Sequence, residues 1–214
     1  MAKGLQLATL IPAGAACYST GKATLDVSRL SNSTLRLQVT QALDLGFQCR
    51  ARSPLMTSMC DALDTGKSHG VTFYDSAAGA VAGTHVTTDS TGDGGFSMWR
   101  YQGAWNQPRA PVLEREDLRV WLNPTGGNFS VTGNGFEYNR LINVLWHEMH
   151  HLTTTQHHIR AAAPYDAGDP WVGAIAEIAR AFPRTARDPV TGQQVTLFAP
   201  DQWTQRTQPR RAVG

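Results

Sequence analysis

The chain carries His147, Glu148 and His151 within five residues: two imidazoles four positions apart, with a carboxylate between them. On a helix, residues four apart share one face, so both rings converge on one cation while Glu148 reaches a water beside it. Imidazole nitrogen suits zinc, and a zinc centre that does chemistry takes three protein ligands and keeps its fourth position for water or substrate. The expected chemistry is Zn2+-assisted hydrolysis, with His147 and His151 as metal ligands and Glu148 as general base. For this content of His and Glu, a chance HExxH arises with a probability of roughly one in 200, so the spacing is read as chemistry rather than as a solvated helix face.

A third ligand must come from elsewhere. Glu177 is the first candidate: no other glutamate follows the motif, and its neighbours Gly173, Ala174 and Ala181 are small enough to let another helix approach. His157 is the alternative. His147, His151 and His157 reproduce the three-histidine spacing of the metzincins apart from one position, where Thr154 replaces the glycine that turns the chain. No methionine follows Met149 to supply a Met-turn. Asp166 and Asp169 complete the candidates. For an oxyanion donor the nearest downstream residues are His158 and Tyr165, each with an ordinary structural role as its alternative.

The motif needs a helix beneath it, and the pattern from Phe136 to Thr153 predicts one. Tyr138, Leu141, Ile142, Leu145, Met149 and Leu152 form an apolar stripe, with His147, His151, Val144 and Glu148 on a face about 130° from its centre and His150 outside both. Asp169 as N-cap and Pro170 announce a second helix that ends before Pro183, with Trp171, Ile175, Ile178 and Phe182 facing the core. Upstream, Leu35, Leu37 and Val39 alternate like a half-buried strand, a helix continuing to Leu45 being the alternative. Ser53-Pro54 starts a short helix through Leu55, Met59 and Leu63, with Gly66 as its stop. Val71–Tyr74, Phe96–Tyr101 and Leu118–Leu122 read as strands. The stretches Gly79–Gly95 and Gly103–Pro111 read as exposed loops able to border a cleft. Beyond Arg184 polar residues dominate, and Gln205–Gly214 looks like a loose tail.

These elements fit one domain over residues 1–214, with 1–20 and 205–214 loosely ordered. Hydrophobic residues make up 41% and charged residues 17%, with 20 Gly and 11 Pro, which describes a folded, loop-rich protein. A net charge of +2 is too balanced to imply nucleic acid or an anionic membrane as partner. No stretch reaches the about 18 uninterrupted apolar residues of a membrane-crossing helix, and Gln6 and Pro12 weaken Leu5–Ile11 as an export signal. Cys17, Cys49 and Cys60 follow no metal-ligand spacing and leave the redox compartment open.

His147 to His151 followed by Glu177 resembles the zincin superfamily, and Gly173–Glu177 looks like the second ligand helix of the thermolysin-like gluzincins. More loosely, the helix at Pro54–Leu63, the strand Gly70–Tyr74 and the segment Leu118–Pro124 before the motif are similar to secreted bacterial effector and toxin metallopeptidases. The resemblance implies an α+β zincin-like fold: a mostly antiparallel sheet packed on the active-site helix, and a second ligand helix C-terminal to it. It implies Zn2+ on His147, His151 and Glu177, a protein or peptide substrate, and an edge strand along the cleft, here Leu118–Leu122, able to pair with extended substrate backbone. Two other readings use the same residues. One is a zinc amidase acting on cell-wall peptides, with the loops at 79–111 setting the choice. The other is a non-catalytic module whose structural zinc takes His157 or His158 as a fourth ligand.

Overall fold

The computed structural model describes residues 17–19, 23–87, 94–124, 131–132, 135–155 and 170–198, so Leu5–Ile11 and Gln205–Gly214 lie outside the described residues. Two short strands, β1 (Cys17–Ser19) and β2 (Thr24–Asp26), precede the helix α1 (Ser33–Gln48). This helix corrects the strand expected at Leu35–Val39. Asn32 Oδ1 accepts hydrogen bonds from the backbone N–H of Thr34 and Leu35 at 2.9 and 3.0 Å, which starts a helix firmly. Leu35, Val39, Ala42 and Leu43 then face the core at helical spacing while Leu37 stays exposed. The helix α2 (Pro54–Thr65) begins as expected, with Ser53 Oγ accepting from Met56 N at 3.1 Å.

The strand β3 (Gly70–Tyr74) and a short helix α3 (Ala77–Val81) follow. That helix corrects the start of the first expected loop: Ser76 caps it and Ala80 is buried. Next come β4 (Gly95–Tyr101), β5 (Ala104–Trp105), β6 (Glu116–Leu122), a small β7–β8 hairpin (Val131–Thr132, Gly135–Phe136), the motif helix α4 (Tyr138–Thr153) and α5 (Pro170–Ala181). A hairpin of β9 (Thr185–Arg187) and β10 (Gln194–Thr196) ends the described chain. It was missed in the polar stretch after Arg184. Asp188 organises its turn, accepting from Val190 N at 3.0 Å and from Thr191 Oγ1 at 2.9 Å.

Six strands form one sheet in the order β1-β2-β3-β6-β4-β5. Pairs β1/β2, β6/β4 and β4/β5 are antiparallel, whereas β2/β3 and β3/β6 are parallel. Three of the five pairings are thus antiparallel and two parallel, which makes this a mixed, mostly antiparallel sheet in an α+β chain. Parallel neighbours need a long crossover, and the helices α1 and α2 supply it between β2 and β3. The same order corrects the expected edge strand, because β6 lies in the interior between β3 and β4.

Helix α4 packs on β4 and β6 and is flanked by α1 and α2. Trp146 is fully buried and donates from Nε1 to Ala42 O at 3.0 Å. Its indole lies so close to α1 that a Cβ at Gly46 would meet Trp146 Cζ2 at 1.8 Å. Gln38, also buried, pairs like a strand with Phe136, donating to Phe136 O at 2.9 Å and accepting from Phe136 N at 3.0 Å, which fixes the entry to α4. Among the described residues no helix is long and apolar enough to cross a membrane.

Candidate functional site

The side of α4 that carries the motif has the geometry its spacing predicts. His147 Nε2 and His151 Nε2 lie 3.1 Å apart, and the ring centroids are 4.9 Å apart at 74°. One Nε2 carries the hydrogen and the other accepts it. Two nitrogens each about 2.0–2.1 Å from a tetrahedral zinc ion stand about 3.3 Å apart, so the pair already has nearly the separation that zinc requires. Glu148 Oε1 is 3.8 Å from His147 Nε2, and its side chain is 7% exposed against 16% for that of His147. The carboxylate is therefore held at the wall of the site while the first histidine opens to solvent.

The expected two-faced helix is covered more completely than a helical wheel implies. His150 and Trp146 are fully buried along with the apolar stripe, because sheet, α1 and α2 surround α4. His150 Nε2 lies 3.4 Å from Thr154 Oγ1. Gly95, at the start of β4, lets the sheet come down onto the motif: a Cβ there would lie 2.5 Å from Trp121 O, 3.3 Å from Val144 Cγ1 and 3.6 Å from Glu148 Cγ. Its value is close approach.

Along its first half, β4 has an unpaired side among the described residues. Among the described residues, β5 pairs only with Arg100 and Tyr101, and Asn106 bonds Trp99, so Gly95–Met98 pair with β6 alone. Asn123 N donates to Gly94 O at 2.9 Å. Antiparallel alternation then turns the peptide groups of Gly95 and Ser97 away from β6, with Gly95 close to Glu148.

Arg115 closes the far end of α4. It is 1% exposed, and its Nη1 donates to His151 O at 2.7 Å and Leu152 O at 3.2 Å. The guanidinium lies over the Trp99 ring, 4.1 Å from its centroid. Burial pulls its pKa down to about 10, so it remains a cation at neutral pH and complements the negative end of the helix.

The structure does not group Glu177 with the histidine pair. Its Oε1 accepts from Leu55 N at 2.9 Å, where a carboxylate caps the N-terminus of α2. Among the described residues no three His, Cys, Asp or Glu side chains form a group that could hold a metal ion. His157, His158, Tyr165, Asp166 and Asp169 lie outside the described residues. Arg115, Trp99 and Gly95 were not singled out from the sequence. Arg115 sits in the run Glu114-Arg115-Glu116-Asp117, which reads as solvated charge, and Gly95 ends a stretch read as loop. Set against family models, curated proteins and solved structures, the chain matches none.

Proposed function

We propose that the chain is a zinc-dependent metallopeptidase of zincin type. The observation that carries this reading is the pair of Nε2 atoms 3.1 Å apart with the Glu148 carboxylate beside it. His147 and His151 would hold the ion. Of the candidates for the third ligand, Glu177 already caps α2, which turns the choice toward His157, with Asp166 and Asp169 behind it. When bound, zinc supplies Lewis-acid polarisation of a carbonyl oxygen and acidifies water. Glu148 takes the proton from the attacking water on its carboxylate oxygen and delivers it to the nitrogen of the leaving amine. The peptide groups of Gly95 and Ser97 that face away from β6 favour a substrate with extended backbone, which can add as a strand beside β4 and bring a peptide carbonyl to the motif.

Elemental analysis and a peptide-hydrolysis screen test the proposal together. Wild type should carry zinc, His151→Ala should lose it, and comparison of Glu177→Ala with His157→Ala identifies the third ligand. Glu148→Gln should keep metal and fold while turnover falls by at least about 100-fold. Undiminished hydrolysis in that variant would remove Glu148 from the chemistry.

A further inference from the structure

Helix α4 ends within one turn of His151, so one ligand of the pair sits where helices fray. The carbonyls of a last turn have no partners within the helix and must find them elsewhere. Here three of them, His150 O, His151 O and Leu152 O, have partners. Met149 O accepts from Thr153 Oγ1 at 2.6 Å, and His150 O accepts from Thr154 N at 3.0 Å and Thr154 Oγ1 at 2.9 Å. His151 O and Leu152 O are both held by Arg115 Nη1.

Arg115 is a costly way to meet that need. A buried guanidinium loses its hydration, no carboxylate lies within ion-pair distance among the described residues, and Nε makes no hydrogen bond. What it provides is a fixed plane. One side stacks on Trp99 of β4, and the edge grips the backbone of the ligand residue itself, so the histidine end of α4 is tied to the strand whose first residue, Gly95, lies close to Glu148.

We propose that Arg115, held against Trp99, is a positioning residue that sets the backbone of His151 and so the spacing of the metal pair; this rests on the zinc reading above. The test uses the full chain and metal alone as probe: zinc affinity by competition with a chromogenic chelator, and the visible absorption spectrum of the cobalt-substituted protein. Arg115→Met should bind zinc at least about 10-fold more weakly than wild type and shift the cobalt bands. Arg119→Met is the control, because Arg119 also holds two carbonyls, Ala80 O and Ala82 O, and stacks on Trp105, yet bonds nothing on α4. It should leave zinc affinity and spectrum unchanged. Wild-type affinity and spectrum in Arg115→Met would overturn the proposal, as would an equal loss in Arg119→Met. If Arg115→Met does not fold, Arg115→Lys decides: a lysine keeps the charge without the planar fork, so weakened binding is expected and unchanged binding overturns the assignment. Wild type that binds no zinc would instead overturn the metallopeptidase reading, and this inference with it.

Discussion

At the scale of single residues, the histidine pair makes a claim about protons. The hydrogen shared between His147 Nε2 and His151 Nε2 occupies the place a cation would take. Metal and protons therefore compete for the same two atoms, and affinity must fall on acidification. Once the ligand rings are protonated in the metal-free protein, the logarithm of zinc affinity should fall on acidification less steeply in His147→Gln than in wild type, by about one unit per pH unit. Chelator competition across pH measures both slopes, and identical slopes would remove His147 from the ligand set. The motif could be read in advance because helix periodicity alone places residues 147 and 151 on one face. Arg115 could not, because it meets His151 at a separation of 36 positions in the chain and lies over Trp99 of β4, contacts that only the tertiary packing makes.

Among the elements, the tightest fit is between α1 and α4. Gly46→Ala puts a methyl where the Trp146 indole lies, and such overpacking costs about 1–3 kcal/mol. Chemical denaturation should show that loss, and Trp146→Phe in the same chain should recover part of it by shortening the ring. A Gly46→Ala protein as stable as wild type would mean that the two helices are not locked by this contact. Of the two helices that flank the motif, only α2 had a legible start. Ser53-Pro54 carried a cap and a first-turn proline in sequence, whereas Leu35, Leu37 and Val39 fit a strand as well as a helix until Asn32 is seen to cap α1. Strand identity was likewise visible in Leu118–Leu122, but its place in the sheet was not. A β-branched, alternating run has the same appearance at an edge and in the interior, and only its pairing with β3 on one side and β4 on the other decides between them.

For the molecule as a whole, the buried titratable groups set a limit at high pH. Burial pushes the Cys60 thiol up to about 12 from 9.0 and raises the Tyr138 phenol from 10.0. Both are neutral in the folded protein. Above the unfolded thiol's value the unfolded chain releases protons that the folded one retains, so this contribution is complete below about pH 9 and is lost as pH rises toward 12. Urea midpoints should accordingly decline between about pH 9 and about pH 11, and Cys60→Ala should flatten part of that decline; a level profile in wild type would contradict the burial of these groups. The α+β class was implied by the resemblance to zincins, and the helices and strands form it. The strand order was not implied, since parallel pairing of β2 with β3 joins segments separated by two helices. Covered on nearly all sides, α4 is at once the girder of the fold and the bearer of the histidine pair. On the zinc reading proposed above, a descendant lineage that gave up hydrolysis would still need the girder, so its shape would outlast its chemistry, and a vacant scaffold of this kind would be told from a working one only by two or three side chains.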